Sequence, residues 1–433
     1  MLTIGIAILV AVLLMMLGLP VAFSFGLATV YIYWVFGLTP HLAISTCFQT
    51  ISGFTILCIP FFIYAGDLMG KGGISKPLID FSQFIFGRIR GSMGHTAILA
   101  NTIFGAITGS AVAGVAAIGS IMLPRLVEEG YDKRYATALV TASSVLGILI
   151  PPSVPLLLFA SLVPGSSIKE LFIAGVLPGI TLALLFMITN YFYCSKVQSI
   201  SARIKTGTGE PRGGSKGRPL YLDAIPALAM PLIMLGGIYS GVFTATEAAG
   251  VACIYAIIVS PLCYRGLTLR SWGTVTLGSA SASAAILCVL MFVSMFNMPF
   301  VTYQAPQKLA SFMLGVLENK VAILFVIDII LIILGMFMEP ITIMVVIAPL
   351  FLPLMSRLNV DMNHYALILT VGTGVGLMTP PVAPTLWVGA KISGLSIADF
   401  MQYSLVFIII QFGFLLVITY VPIISTFLPS LIR

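Results

Sequence analysis

From Ser404 to Ile424 the chain carries no charged residue, and from Val321 to Met338 it carries one, Asp328. A helical apolar run of about 20 residues matches the hydrocarbon core of a bilayer. In lipid every backbone N–H and C=O needs an internal partner, so such runs fold as helices or as strands of a closed barrel. Barrel strands alternate in polarity over about ten residues, and these runs do not alternate. Only 8% of the 433 residues are charged and 59% are hydrophobic. A soluble protein with so few charges would associate through its exposed apolar patches, and a disordered chain would be far more polar. The sequence therefore reads as an all-α polytopic membrane protein seated in a lipid bilayer, with about 10 to 12 spans. Its net charge of +7 belongs to cytoplasmic loops rather than to a face that binds nucleic acid.

Little in the sequence points to enzyme chemistry. The six cysteines form no C-x-x-C pair, and the three histidines (His41, His95, His364) show no metal-ligand spacing. Buried small hydrophobes and loop or interface residues account for them. No phosphate-binding G-x-x-x-x-G-K-[ST] loop occurs, so energy must come from a gradient or from another chain. An intramembrane enzyme would need a nucleophile with its base, paired acids or a metal motif. A channel would show a repeated filter or charge rings. No Lys or Arg precedes Lys71, so the first apolar segment lacks the basic flank of a cleaved signal and is expected to remain as a span.

The chain divides at one polar stretch, 195–222, where Lys196, Arg203, Lys205, Arg212, Lys216 and Arg218 face a single acid, Glu210. The positive-inside rule makes it a cytoplasmic linker. The halves on either side resemble each other. Gly147-Ile-Leu-Ile-Pro151-Pro152-Ser-Val-Pro155-Leu-Leu157 and Gly376-Leu-Met-Thr-Pro380-Pro381-Val-Ala-Pro384-Thr-Leu386 share the pattern G-x-x-x-P-P-x-x-P-x-L, 229 positions apart. Leu123-Pro124 and Leu352-Pro353 keep that offset, and Pro60-Phe61-x-x-Tyr64 matches Pro299-Phe300-x-x-Tyr303 at 239. Three matches in order indicate an internal duplication.

Prolines at this density unwind a helix, because each removes a backbone donor and clashes with the preceding turn. An unwound stretch at membrane depth must be buried or line a wet cavity, and matched interruptions in two halves point to a secondary transporter. The segments before the breaks, 92–126 and 321–355, are each long enough for two half-helices turning at small or polar residues (Gly109-Ser110; Gly335 to Pro340). A re-entrant hairpin is expected in each. Arg88, Arg90, Arg125, Lys133 and Arg134 flank the first, whereas the second has the weaker basic bias of an inverted copy. The division is then 1–91 scaffold spans and amphipathic arm, 92–163 first hairpin and broken helix, 164–194 a span, 195–222 linker, 223–320 second-half scaffold, 321–390 second hairpin and broken helix, and 391–433 the last span.

Five motifs carry a family resemblance: Ile59-Pro60-Phe61-Phe62-x-x-Ala65-Gly66, Thr108-Gly109-Ser110-Ala111-Val112-Ala113, Ile150-Pro151-Pro152-Ser153, Phe243-Thr244-x-Thr246-Glu247-Ala248 and Gly376-x-x-Thr379-Pro380-Pro381-Val382. In this order, over essentially the whole chain, they resemble the large membrane subunit of tripartite ATP-independent periplasmic (TRAP) transporters. The sequence departs from the family pattern at Gly114 and at Ala383-Pro384. The resemblance implies a sodium-driven importer of small organic acids, such as sialic acids or C4-dicarboxylates, in the bacterial inner membrane. It implies an elevator mechanism in two inverted repeats, a small four-helix membrane subunit, and a periplasmic substrate-binding protein. A sodium/carboxylate symporter of the same superfamily, needing no binding protein, is the alternative.

Within that resemblance, sodium is a hard cation that takes oxygen ligands from hydroxyls and helix-end carbonyls. One ion is expected at Thr108, Ser110, Gly147, Ile150 and Pro152, and a second at Gly335, Gly376, Thr379 and Val382. The substrate carboxylate is expected between the hairpin tips near half-helix N-termini, with Ser110, Ser153 and Thr385 as hydroxyl donors. Glu339 either couples to a cation or caps the helix beginning at Pro340. Asp328 is expected to find a structural partner, a coupling role being the alternative, and Glu247 to cap a helix start.

Overall fold

The computed structural model describes residues 2–87, 89–196, 222–264, 266–317 and 319–431. The expected linker lies, apart from its two ends, outside the described residues. Among those residues the fold is all-helical. The first half runs through α1 (Leu2–Met16), α2 (Val21–Phe36), α3 (Pro40–Ile51), α4 (Cys58–Lys71) and α5 (Ser75–Phe86). It continues through α6 (Ser92–Thr108), α7 (Ala111–Glu128), α8 (Lys133–Ser144), α9 (Leu146–Leu149), α10 (Val154–Leu162) and α11 (Ile168–Lys196). The second half comprises α12 (Ile225–Ser240), α13 (Ala245–Val259), α14 (Leu269–Thr302), α15 (Ala305–Val316) and α16 (Lys320–Gly335). It ends with α17 (Pro340–Arg357), α18 (Met362–Leu377), α19 (Pro384–Ser393), α20 (Ile397–Tyr420) and α21 (Ile423–Ser430). Eight stretches among the described residues are long and apolar enough to cross a membrane, with three shorter apolar helices beside them. That is fewer than the 10 to 12 expected, because glycine and proline split several apolar runs into shorter helices.

At the centre lie α8–α9 and α18. Every residue from Tyr135 to Ser144 and from Asn363 to Leu377 is buried, as for helices surrounded by protein on all sides. Both start on an aspartate N-cap. Asp132 accepts from the Arg134 N–H at 2.7 Å, and Asp361, 229 positions later, accepts from the Asn363 N–H at 2.8 Å. Such caps satisfy donors that a helix start leaves unpaired. Around this centre α7 packs on α19 and α17 on α10, so that each half's helix pair leans on the far piece of the other half's broken helix.

A second group is built on α4, which lies between α13 and α14. Thr246, Cys253 and Ser260 of the chain around α13 donate to the carbonyls of Phe54, Phe61 and Leu68 at 3.0, 3.1 and 3.3 Å. Along α14, Trp272 Nε1 donates to the Tyr64 hydroxyl at 2.8 Å, and Ser279 Oγ donates to Asp67 at 2.6 Å. Glu247 forms the expected capping box with Thr244 at the start of α13.

Both broken helices stop at the expected prolines, and the Pro151-Pro152 and Pro380-Pro381 peptides are both cis. Hydroxyls cover the carbonyls left by each break. Ser153 Oγ donates to the Ile148 carbonyl, while Thr385 Oγ1 and Thr379 Oγ1 donate to those of Leu377 and Val375, both at 2.8 Å. Thr385 is fully buried and Ser153 nearly so, where an unpaired carbonyl would be costly.

Glycine lets the preceding helix approach each break. A Cβ placed on Gly105 would stand 2.2 Å from the Gly147 Cα, and one on Gly376 would stand 2.4 Å from the Gly335 Cα. Real Cβ atoms do not come so near, and the obstacle in each case is backbone. A glycine–glycine crossing thus recurs in both halves, with Gly147 and Gly376 229 positions apart and Gly105 and Gly335 230 apart.

Two outcomes follow for stability, read as thermal unfolding of the purified protein. Gly105→Ala is expected to lose about 1–3 kcal/mol through overpacking, whereas Gly236→Ala, with nothing within 4 Å, leaves the midpoint nearly unchanged. Thr385→Val strands the Leu377 carbonyl and is expected to cost about 1–3 kcal/mol; an unaltered midpoint would show that the carbonyl has another partner.

Candidate functional site

Each of the two segments expected to form a hairpin is a pair of helices joined by a short turn. α6 ends at Thr108, Gly109 turns the chain with φ +64°, and Ser110 caps α7 by accepting from the Ala113 N–H at 3.3 Å. Only a residue free of Cβ strain turns readily there. The second pair, α16 and α17, turns through Met336 to Glu339, with Glu339 at the N-cap. Ser110 and Glu339 are 229 positions apart, the offset that separates the two proline motifs.

Between these tips lies a cleft of about 360 Å³. The first tip lines it from Thr108 to Ala113, and the second from Glu339 to Ile341. Ile148, Val154, Pro155 and Leu377 contribute from the broken helices, and Ile63, Gly66 and Asp67 of α4 with Ala282 and Ile286 of α14 close the other side. The cleft therefore separates the central helices from the α4 group. The two bodies meet closely at its rim, where a Cβ on Gly66 would come within 3.0 Å of the Thr108 Cα.

The tips differ electrostatically. α7 has no acid in its first turn, so its N-terminus keeps the positive end of the helix dipole. α17 begins with Pro340, which has no N–H, behind the carboxylate of Glu339. An anion is therefore favoured at the first tip and disfavoured at the second. The Glu339 carboxylate makes no cap hydrogen bond and the residue is exposed into the cleft. This corrects the capping alternative: the N–H groups of Ile341 and Thr342 remain as donors, but the Glu339 carboxylate does not turn back to them.

The first set of expected ion ligands comes together around the first tip. Thr108 Oγ1 donates to the Phe104 carbonyl at 3.1 Å and lies 3.5 Å from the Ser110 nitrogen. A Cβ on Gly109 would come within 3.1 Å of the Pro152 carbonyl oxygen, and one on Gly147 within 3.3 Å of that of Ser110. Ile150 instead packs its side chain against Gly179 of α11. In the second set Gly335, Gly376 and Thr379 adjoin one another, the Thr379 N–H donating to the Gly376 carbonyl at 2.9 Å. The Val382 side chain is 43% exposed. Among the expected substrate donors only Ser110 lines the cleft. Ser153 and Thr385 do not, because their hydroxyls serve the carbonyls of the breaks.

Two features escaped the sequence reading. Asp67 lines the cleft, and an acid inside the apolar run 58–71 was its signal. Asn101 joins the first pair to the broken helix, donating to Ser143 Oγ at 2.7 Å and to the Val140 carbonyl at 3.2 Å. Asp328, fully buried, has the expected structural partner in Thr419, whose hydroxyl donates at 3.1 Å. Among the described residues no three His, Cys, Asp or Glu side chains gather as a metal site. Any ion held here would rest on carbonyl and hydroxyl oxygens.

Known proteins place this architecture. The family model described as "Tripartite ATP-independent periplasmic transporter, DctM component" matches residues 8–424. The C4-dicarboxylate TRAP transporter large permease protein DctM of Pseudomonas aeruginosa is 35% identical over 383 residues, covering 88% of each chain. The sialic acid TRAP transporter large permease protein SiaM of Vibrio cholerae is 29% identical over 419 residues, covering 96% of each. Among solved structures, the YdaH transporter of Alcanivorax borkumensis matches with a TM-score of 0.63 at 14% identity, over 88% of this chain and 87% of that one. That likeness is one of fold. The chain belongs to the DctM family and is a large permease subunit of a TRAP transporter, a multi-pass helical membrane protein.

Proposed function

We propose that this permease imports a small organic acid across the bacterial inner membrane, driven by sodium and supplied by a periplasmic binding protein. The observation that carries the reading is the cleft between the two helix-pair tips, bounded on its far side by α4 and α14. Its volume lies within the range of about 300–1,000 Å³ for small-molecule sites. The α7 N-terminus, with no acid in its own first turn, offers an anion the positive end of the helix dipole and free N–H groups. A small four-helix membrane subunit completes the complex, and the relatives named for C4-dicarboxylates and for sialic acid support an organic acid as cargo.

Sodium enters as a co-substrate at two places. The first is formed by Thr108 and Ser110 with carbonyls of Gly147 and Pro152, and Ile150 completes it through its backbone alone. The second lies at Gly335, Gly376 and Thr379, with the Val382 carbonyl as its outermost ligand. Both adjoin a helix break, where carbonyls leave the helical pattern and can turn to a hard cation. Ion binding at the first place would fix the tip that carries Ser110, so substrate and sodium would each favour the other's binding. Transport follows if 92–163 and 321–390 move together as an elevator past the remaining helices, taking the cleft from one side of the membrane to the other. The matched positions of the breaks and caps support two repeats, and the weaker basic bias around the second supports their inverted orientation.

Uptake into proteoliposomes holding this chain and its small subunit tests the reading, using sialic acid and C4-dicarboxylates. Uptake is expected only with an inward sodium gradient and the binding protein. Sodium-driven uptake without the binding protein would favour the self-sufficient symporter, and uptake indifferent to sodium would contradict both. In the same assay Ser110→Ala and Thr379→Ala are each expected to raise the sodium concentration for half-maximal uptake by about tenfold, equivalent to about 1.4 kcal/mol. An unchanged sodium dependence in both would remove these residues from the ion sites.

A further inference from the structure

The cleft's charge is unusual for one that takes an organic anion. Two carboxylates line it, Asp67 from α4 and Glu339 from the second tip, and no Lys, Arg or His is among the described residues that do. Asp67 is held in place: Ser279 of α14 donates to its Oδ2 at 2.6 Å, and the neighbouring Gly66 lies against Thr108. The rest of the lining is almost entirely apolar, which leaves little polarisable surroundings to screen like charges.

Resting on the organic-acid reading above, we propose that Asp67 sets the substrate class. The acid that fits carries one carboxylate, for the α7 N-terminus, together with hydroxyl or ammonium donors that meet the Asp67 carboxylate. A plain dicarboxylate is selected against. The physical argument is one of unequal partners. A carboxylate is an acceptor only, so a second substrate carboxylate near Asp67 or Glu339 brings repulsion and no hydrogen bond, whereas a hydroxyl or ammonium group brings a charge-assisted one. A site built to hydrogen-bond such donors also discriminates strongly against an analogue that lacks them, because its own polar group is left unpaired. Size points the same way. About 360 Å³ is roomy for a four-carbon diacid and accommodates a polyhydroxylated acid of six or more carbons. Sodium bound behind the tips would reduce the overall charge of the site but would supply no donor at Asp67.

The test compares two probes on the full chain in lipid nanodiscs with saturating sodium chloride: gluconate, a monocarboxylate rich in hydroxyls, and succinate, a dicarboxylate with none. Binding is read by calorimetry. Gluconate is expected to bind at least about tenfold more tightly than succinate, a difference of about 1.4 kcal/mol. Asp67→Asn, which keeps the shape and removes the charge, is expected to shrink that ratio severalfold by strengthening succinate. Ser279→Ala, which frees the Asp67 side chain, should weaken gluconate while leaving succinate nearly as it was. Equal or tighter succinate binding in the wild-type protein would overturn the inference and leave the organic-acid reading standing. So would a ratio that Asp67→Asn does not alter. Failure of both acids to bind would overturn the organic-acid reading itself along with this inference.

Discussion

The centre of this protein depends on a single requirement, that backbone polar groups released by a broken helix find partners in an apolar surrounding. Each break frees carbonyls at buried positions, where leaving one unpaired costs about 1–3 kcal/mol. The chain meets the requirement with hydroxyls placed just beyond the break, Ser153 for Ile148 and Thr385 for Leu377. It then brings a second helix against the broken one, and glycine on both sides, Gly105 with Gly147 and Gly335 with Gly376, allows the backbones to touch. These crossings set how closely each preceding helix, and the tip that follows it at Ser110 or Glu339, lies to its break.

Positions separated by the 229 offset are informative where their residues differ. Asp132 and Asp361 do the same capping work. At the tips, however, serine in one copy corresponds to a glutamate followed by proline in the other, so one half-helix start welcomes an anion and its counterpart repels one. The buried pair Tyr135–Asn190 has its counterpart in His364–Thr419, each residue 229 positions on. The tyrosine hydroxyl donates to Asn190 at 3.5 Å, and the histidine Nε2 lies 3.3 Å from the Thr419 carbonyl. To that second pair the chain adds Asp328, with no equivalent acid in the first half. Positions 229 apart thus carry different chemistry in the two halves of the chain.

Much of this was legible from residue pattern alone. Apolar runs of spanning length admit little besides helices, and the proline motifs marked both breaks to within a few residues. The Gly109-Ser110 turn and the Glu247 capping box likewise follow from short-range rules that act within a few residues. What stayed hidden depends on contacts across the chain. The sequence offered Ser153 and Thr385 as free hydroxyls, since nothing local reveals that a carbonyl five or eight residues earlier consumes them. Glu339 looked like a cap because its neighbour Pro340 suits a helix start, yet its side chain makes no cap hydrogen bond and lines the cleft instead. Asp67 carried the signal of an acid in an apolar run, but its place in the cleft depends on α14 arriving from more than 200 positions away. Gly147, Gly335 and Gly376 read as sources of carbonyl ligands; their tight crossings give them a steric reason as well.

The account's central claim is that cargo occupies the cleft between the tips. Thiol accessibility tests it most directly, in a variant whose six native cysteines are replaced and which carries Ser110→Cys or, as the comparison, Ser153→Cys. The account predicts that substrate with sodium slows labelling of the Ser110→Cys protein by a small polar thiol reagent, whereas the Ser153→Cys protein resists labelling with or without substrate. Labelling at position 110 that substrate leaves untouched, under conditions where uptake proceeds, would place the cargo elsewhere and contradict the account.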